Sequence, residues 1–264
     1  MTGGAAAEAF FTPAGDHYQP TPASKGPWDP KSLHGRVAVG LLAAKIEQRH
    51  GGEAYMPARL TVDMYRLPGL EPAQVTTRLI KDGYRLKLVE AEFVSGGRPA
   101  ALATCQLLRR STAPLGTVWR PPNWDAPPPD KVEAPSNNQG ALGGMWATKP
   151  IVGTMGSLGP RRIWMAEIRP LVEGVRLTPF VRAALAADFA SPFANAGDAG
   201  LAYINSDVTL YLHRLPIGDW IGLEVVNHEA TEGVAIAACR MFDVAGAVGA
   251  ASVAALAQNR GMRG

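Results

Sequence analysis

The sequence predicts an α+β fold built from two similar units, and three observations carry this prediction. The chain has 264 residues, of which 47% are hydrophobic and 19% charged, so it has enough apolar side chains for a sizeable core. Prolines and glycines are concentrated between residues 113 and 160, in a stretch that sustains neither a helix nor a central strand. On both sides of this stretch the same order recurs, one helix followed by several strands.

Landmarks on the two sides of this stretch recur at a nearly constant offset. The Arg-Leu-Pro sequences that begin at Arg66 and Arg214 lie 148 positions apart. Two later pairs of turn glycines lie 150 and 149 positions apart, namely Gly83 with Gly233 and Gly97 with Gly246. A fixed offset indicates duplication of one unit. We therefore predict an N-terminal unit over 1–112, a linker over 113–160 and a C-terminal unit over 161–264.

Each unit begins with a helix. The segment 35–49 is rich in Ala and Leu, lacks proline and ends before two glycines, which predicts a largely buried helix. In the second unit Pro179 suits the first turn of a helix, which we predict over 178–188. Short loops predict antiparallel pairing of the strands that follow. These strands are expected at about 58–67, 73–82, 84–95 and 99–109, and again at about 201–213, 219–229, 232–243 and 247–257.

The composition excludes several classes of function. The 26 basic and 23 acidic residues balance to a net charge of +3, and basic residues do not alternate with aromatic ones as in nucleic-acid binders. Motifs for phosphate loops, dinucleotide binding and a serine nucleophile elbow are missing. Cys105 and Cys239 lie in apolar runs, which favours buried thiols in a reducing compartment. Without a signal peptide or an apolar run of about 20 residues, the chain is expected to be cytoplasmic and to lack a membrane span.

An ordered set of motifs resembles the TesB-like acyl-CoA thioesterases. The resemblance covers about residues 25–258 apart from most of the linker, and no single motif carries it. It implies a double hotdog fold, in which each unit wraps a curved antiparallel sheet around a long helix. The matching segments are Gly26-Pro27-Trp28-Asp29, His34-Gly35, Ala187-Asp188-Phe189-Ala190, the run from Tyr203 to Thr209, His213-Arg214, the run from Gly218 to Leu223, and the hairpin from Asp243 to Gly249.

The resemblance also implies the site residues. In this family an Asp on the second-half helix, a hydroxyl or amide residue on the next strand and a Gln on the last strand hold a nucleophilic water. The first two positions correspond to Asp188 and Asn205. The Gln position falls at about Ala254, so this sequence departs from the pattern there. Ser252, on the same strand face, is the third candidate because it donates a hydrogen bond; Gln258 lies about 13 Å further along an extended strand and is no substitute.

Each of these residues also has a structural interpretation. Asp188 is either a general base whose pKa is raised by partial burial, or a solvated carboxylate at a helix end. Asn205 either orients a water molecule or a carbonyl group, or caps a turn. For Asp207 we favour a structural role, such as an ion pair with Arg214 or Arg240.

The histidines indicate no metal site. None of the five has metal-ligand spacing with another, and we predict neither a metal nor another cofactor. For His213 we favour structural hydrogen bonding, and His228 is typical of an exposed loop. His34 resembles the His-Gly that begins the first helix in the family, and the N–H groups of Gly35-Arg36 are a weak candidate for anion binding.

The function expected from the resemblance is hydrolysis of an acyl-CoA thioester by water held at Asp188. The alternative is a catalytically degenerate hotdog protein that binds an acyl chain or another apolar ligand, which the missing Gln at Ala254 favours. A hydratase is disfavoured because no His lies near the start of the second helix. The expected partner is acyl-CoA or a similar small molecule, not nucleic acid. Hotdog units often associate through sheet edges, so a homodimer is expected.

Overall fold

The computed structural model describes residues 7–133 and 145–258, so residues 134–144 of the predicted linker lie outside the described part. Two α-helices and a large antiparallel sheet confirm the α+β class. Helix α1 spans Gly35–His50 and helix α2 spans Pro179–Asn195. The strands are β1 (Phe11–Ala14), β2 (His17–Pro20), β3 (Tyr55–Met64), β4 (Ala73–Asp82), β5 (Leu86–Ser95), β6 (Arg98–Arg109), β7 (Trp146–Val152), β8 (Arg162–Glu167), β9 (Ala196–Gly197), β10 (Gly200–Leu201), β11 (Tyr203–Asn205), β12 (Asp207–Leu212), β13 (Trp220–Thr231), β14 (Val234–Asp243) and β15 (Gly246–Ala257).

Thirteen strands of the described residues form one antiparallel sheet, and β9 pairs with β10 beside it. The order across the sheet is β1-β2-β4-β5-β6-β3-β12-β15-β14-β13-β8-β7, with β11 also paired to β15. From the β3–β12 junction outward, one half reads β3-β6-β5-β4-β2-β1 and the other reads β12-β15-β14-β13-β8-β7. The two halves of the sheet therefore have corresponding strand orders.

The register at the centre of the sheet relates the two halves. Strands β3 and β12 pair antiparallel about Thr61 and Thr209, whose hydroxyl oxygens lie 3.2 Å apart. These two residues are 148 positions apart, the same offset as the Arg-Leu-Pro sequences. Each also pairs with the neighbouring strand at that offset, Thr61 with Thr104 and Thr209 with Ser252. The repeat in the sequence is thus matched by the strand pairing.

The two helices pack antiparallel against each other. Gly35 at the start of α1 lies beside Asp188 of α2, whereas Glu47 near the end of α1 contacts Thr178 at the start of α2. Helix α1 packs on strands β3–β6, and α2 packs on β8 and β11–β15. The helix pair is thus covered by both halves of the sheet, and its apolar residues are buried, among them Val37, Leu41, Leu42, Ile46, Phe180, Leu185, Phe189 and Phe193.

Helix α2 is longer than the sequence predicted. It continues to Asn195 through Pro192, so Asp188 lies within the helix and not at its end. A proline inside a helix removes one backbone hydrogen bond. The side chains of Phe189 and Phe193 are fully buried on either side of it and stack on each other, with ring centroids 5.7 Å apart. Tertiary packing therefore overrides the local helix-breaking signal.

Two hairpins, one at each end of the large sheet, were not predicted. The β1–β2 hairpin pairs with β4 through Tyr18 and Ala73, and the β7–β8 hairpin pairs with β13. Strand β7 lies inside the predicted linker and contains Pro150, which is tolerated because β7 is the last strand of the sheet. The predicted strand 201–213 is interrupted at Ala202 and Ser206, which divides it into β10, β11 and β12.

The described part of the linker packs on the C-terminal half. The Trp124 ring stacks on Phe242, with centroids 4.4 Å apart, and contacts Trp164 at 4.8 Å. Gly222 lies directly beneath Trp124, where a Cβ atom would overlap the indole ring. The linker is thus partly ordered against the sheet. Within the residues described, neither helix is long and apolar enough to cross a bilayer.

Candidate active site

Asp188 is a buried carboxylate that faces the start of the other helix. Its residue surface is only 5% exposed. A Cβ atom built on Gly35 would lie 3.5 Å from both carboxylate oxygens of Asp188, so a glycine at this position allows the backbone to approach closely. The N–H groups of a helix start attract a negative charge. The sequence offered the N–H groups of Gly35 and Arg36 as a candidate anion site. In the structure, the anionic group beside them is the Asp188 carboxylate of α2.

Asn205 is the second sequence-predicted residue that the fold brings to this point. It ends strand β11, and its Nδ2 donates a hydrogen bond to Asp188 Oδ1 at 3.1 Å. The same Nδ2 group donates to the backbone carbonyl of Asp207 at 3.2 Å, which fixes the orientation of the amide. The side-chain carbonyl of Asn205 then remains as an acceptor beside the carboxylate. Two of the three predicted residues are thus in direct contact.

His34 caps helix α1 with its imidazole ring. Its Nδ1 accepts a hydrogen bond from the backbone N–H of Arg36 at 3.2 Å and lies 3.7 Å from Asp188 Oδ2. The ring meets Trp146 edge-on, with centroids 5.4 Å apart. Burial, together with the charge of Arg36, holds the pKa of His34 well below its usual range. The ring is therefore neutral at pH 7 and acts as a helix cap beside Asp188.

The environment of Asp188 shifts its protonation equilibrium. Burial raises its pKa, because the charged form is desolvated. The hydrogen bond from Asn205, the charge of Arg36 and the backbone N–H of Arg36 all act in the opposite direction. A carboxylate with a raised pKa accepts a proton more readily than an exposed one does. The arrangement thus suits a general base that donors hold in a fixed orientation.

Arg36 forms a buried ion pair behind the site. Its Nη1 lies 3.3 Å from Glu167 Oε2 and donates to the carbonyl of Met145 at 3.0 Å. The guanidinium also lies 3.9 Å from the Trp146 ring centroid, a cation–π distance. Burial raises the pKa of Glu167 and lowers that of Arg36. Sequence reasoning missed this pair, although an arginine in the first turn, directly before the apolar run 37–44, was a usable signal.

Ser252 is not brought to Asp188. It alternates along β15 with the buried Ala251 and Val253, and it pairs with Thr209 on the sheet face opposite to them. The residue of β15 that pairs with Asn205 is Ala255, which is buried. Neither Ala255 nor its neighbour Ala254 has a side-chain donor. Strand β15 therefore places no side-chain donor opposite Asn205.

The other polar residues considered in the sequence have structural contacts. Asp207 Oδ1 accepts a hydrogen bond from the backbone N–H of Ala254 at 2.6 Å. This bond stabilises the chain where β11 ends and β12 begins. The expected ion pair of Asp207 is wrong, because Arg214 pairs with Asp243 and Arg240 with Glu224.

The remaining residues singled out in the sequence also have defined positions. His228 lies in strand β13, not in a loop, and its Nδ1 is 2.9 Å from Asn195 Oδ1. His213 pairs through its backbone N–H with Val248. Both cysteines are buried free thiols, as expected, and burial raises each pKa to about 12. Across residues 7–133 and 145–258, the His, Cys, Asp and Glu side chains form no cluster of three able to hold a metal ion.

Comparison with known families identifies the class of protein. Residues 24–108 match the model of the acyl-CoA thioesterase N-terminal domain, and residues 122–254 match that of the acyl-CoA thioesterase C-terminal domain. Fold and family together define a thioester hydrolase. More narrowly, the chain belongs to the acyl-CoA thioesterase family, which confirms the resemblance to TesB-like proteins. No curated protein sequence matches the chain.

Solved structures show the same fold at low sequence identity. A hotdog-fold protein of Alicyclobacillus acidocaldarius is 13% identical with a TM-score of 0.72, and the match covers 94% of this chain and 95% of that one. The tesB protein of Mycobacterium avium subsp. paratuberculosis is 14% identical, with a TM-score of 0.63 and coverage of 94% and 96%. The acyl-CoA thioesterase II TesB2 of Mycobacterium marinum is 16% identical, with a TM-score of 0.63 and coverage of 84% and 90%.

Proposed function

We propose that this protein hydrolyses an acyl-CoA thioester with a water molecule activated by Asp188. The observation that carries the proposal is the buried Asp188 carboxylate, held by the Asn205 amide at 3.1 Å and set against the start of helix α1. Asp188 removes a proton from the water, and the resulting oxygen nucleophile attacks the thioester carbonyl carbon. The carbon–sulfur bond then breaks, the carboxylic acid forms, and the proton passes to the CoA sulfur.

The negative charge of the tetrahedral intermediate needs donors that are already in place. The N–H of Gly35 at the start of α1 is the donor we assign to the carbonyl oxygen, because the N–H of Arg36 is engaged by His34 and Asp188. Asn205 holds the carboxylate and offers its side-chain carbonyl to the attacking water. The acyl tail would lie in an apolar channel between the two halves, and the nucleotide end of CoA would rest on surface Lys and Arg side chains.

The same proposal covers the architecture. We propose a double hotdog with an N-terminal unit over 1–112, a linker over 113–160 and a C-terminal unit over 161–264. The strand order on either side of the β3–β12 junction supports it, although β7 shows that part of the linker joins the sheet. A homodimer that associates through sheet edges and a cytoplasmic location are further proposals.

A second function is favoured by one observation. The β15 position that faces Asn205 is Ala255, so the site has one polar group fewer than the family pattern. A protein that binds an acyl chain or another apolar ligand without hydrolysing it needs no such group. Hydrolysis is preferred because burying an acidic residue in the middle of an apolar helix is costly, and the Asn205 amide holds the Asp188 carboxylate in a fixed orientation.

The test is release of free thiol from acyl-CoA substrates of different chain lengths. Asp188→Asn keeps the shape of the side chain but removes the base, and we expect it to lower kcat/KM by at least about 100-fold. The matched control is Asp219→Asn, because Asp219 is an exposed aspartate that pairs with Arg182. Hydrolysis that is equal in Asp188→Asn and wild type would exclude Asp188 as the base. A wild-type rate no higher than the uncatalysed rate, with tight ligand binding, would favour the second function.

A further inference from the structure

A cavity opens at the end of the helix pair that lies away from Asp188. It has a volume of about 320 Å³ and lies where the second half of α1 meets the start of α2. Apolar side chains line most of its wall, among them Leu41, Leu171, Val172 and Val181. Small-molecule sites span about 300–1,000 Å³ and are mostly apolar with a few polar groups. The size and lining of this cavity fall in that range.

The cavity is separate from the proposed active site. Gly35 meets Asp188 at the first turn of α1, whereas the cavity is lined by α1 residues from Leu41 to Gln48. Ten residues of helix, from Gly35 to Lys45, span about 15 Å. The two places are therefore at opposite ends of the antiparallel helix pair, and a ligand in one does not occupy the other.

The polar wall of the cavity repeats part of the chemistry at Asp188. The Thr178 hydroxyl donates to Glu47 Oε2 and also caps α2 by accepting from the N–H of Val181 at 3.2 Å. At both ends of the pair, the capped start of one helix thus meets a carboxyl group of the other. Burial raises the pKa of Glu47, and the hydrogen bond from Thr178 lowers it.

The cavity lacks the amide that accompanies Asp188. Asn205 pairs with Ala255, and the positions 148 residues earlier, Pro57 and Leu107, pair in the same way. Pro57 therefore stands where the second unit has Asn205, and it has no side-chain donor or acceptor. This end of the helix pair therefore lacks the strand residue that orients the Asp188 carboxylate, which favours binding over hydrolysis.

The rim of the cavity carries positive charge. Lys45 Nζ donates to Gln48 Oε1 at 3.3 Å and lies 5.1 Å from the Tyr18 ring centroid. Arg176, on the loop before α2, lines the same opening and is exposed. Glu47 is the sole acidic residue among the lining residues, and it is engaged by Thr178. An apolar interior with two basic groups at its mouth complements an anionic amphiphile.

We propose that this cavity is a second ligand site, which takes the alkyl chain of a single-chain aliphatic carboxylate and holds its carboxylate at Lys45 and Arg176. Such a molecule has the chemistry of the acid that a thioesterase releases. The binding itself does not depend on Asp188 or on hydrolysis, so either proposal can be correct without the other.

Decanoate is the probe, and its binding is measured by isothermal titration calorimetry. We expect Lys45→Glu to weaken binding at least about tenfold, because it replaces a favourable charge contact with a repulsive one. Ala44→Trp fills the cavity from its wall and is expected to abolish the binding. Lys131→Glu is the charge-matched control, because Lys131 is an exposed lysine outside the cavity, and Asp188→Asn is expected to bind decanoate as wild type does. Circular dichroism checks the fold of each variant.

Three results would overturn the proposal. The first is the absence of decanoate binding to the wild type. The second is binding that Lys45→Glu and Ala44→Trp leave unchanged, because the ligand would then lie elsewhere. The third is equal affinity for decyltrimethylammonium, which has the same chain with a cationic head and should be repelled at this rim. Loss of thioesterase activity alone, with decanoate binding retained, would contradict the proposed function and leave this site intact.

Discussion

At the scale of single residues, two opposing influences set the pKa of Asp188, the proposed base. Desolvation favours the protonated form of Asp188, whereas the donors around it favour the charged form. The net pKa is raised above the ordinary aspartate value of 3.8. A base must be deprotonated to act, so activity should fall at acidic pH with a midpoint above that value.

The contribution of Asn205 is tested by the pH profile of kcat/KM. Its hydrogen bond lowers the pKa of Asp188, so Asn205→Ala should move the acidic limb to higher pH as well as reduce the maximum rate. The matched control is Asn227→Ala, because the Asn227 side chain bonds to the carbonyl of Ile236 on an exposed strand. A limb at the same pH in Asn205→Ala and wild type would contradict this electrostatic role.

At the scale of elements, helix α1 is fixed at its start by a buried ion pair with strand β8. Arg36 and Glu167 are each almost fully inaccessible to solvent, and the Arg36 backbone supplies a donor to Asp188. The pair therefore links the position of the helix start to the site. Because both charges are removed from water, forming the pair costs free energy, and each charge needs the other as its partner.

Replacing one partner of this pair should lower the free energy of unfolding more than replacing both. Glu167→Ala leaves the Arg36 cation buried without its carboxylate, and we expect a loss of about 3 kcal/mol in the free energy of unfolding. The double variant Arg36→Met/Glu167→Leu should recover most of that loss. Urea denaturation measures both, and a Glu167→Ala protein as stable as the wild type would show that the ion pair does not hold α1.

At the scale of the whole molecule, the two halves meet in the sheet at β3–β12 and in the core at the helix pair. Gly40 of α1 lies against Leu185 of α2, because a Cβ atom on Gly40 would lie 2.6 Å from Leu185 Cδ2 and 3.3 Å from Leu171 Cδ1. A glycine at this position therefore sets the distance between α1 and α2. The same distance sets how closely Gly35 approaches Asp188.

A larger residue at Gly40 should affect stability and activity together. Gly40→Val forces the helices apart, and overpacking of this kind costs about 2 kcal/mol. Because the start of α1 then moves relative to Asp188, kcat/KM should fall as well. Gly52→Val is the matched control, because a Cβ atom on Gly52 meets nothing within 4 Å. Thermal unfolding and thiol release measure both effects, and a Gly40→Val protein that matches its control would contradict this account of the helix contact.

Local patterns in the sequence predicted the start of each helix, most of the strands and their recurrence in the two halves of the sheet. Hydrophobic periodicity, turn glycines and the 148-residue offset are local or directly countable signals. Asp188 and Asn205 were also predicted as site residues, through the family resemblance, and the structure brings them into contact.

Only the tertiary structure decided the remaining features. The continuation of α2 through Pro192, the sheet face of Ser252 and the approach of His34 and Arg36 to Asp188 all depend on contacts between distant segments. Packing energy between such segments exceeds the local preferences that a sequence pattern reports. The fold class and the catalytic candidate are therefore visible in the chain itself, whereas the geometry around that candidate follows from how its two halves pack.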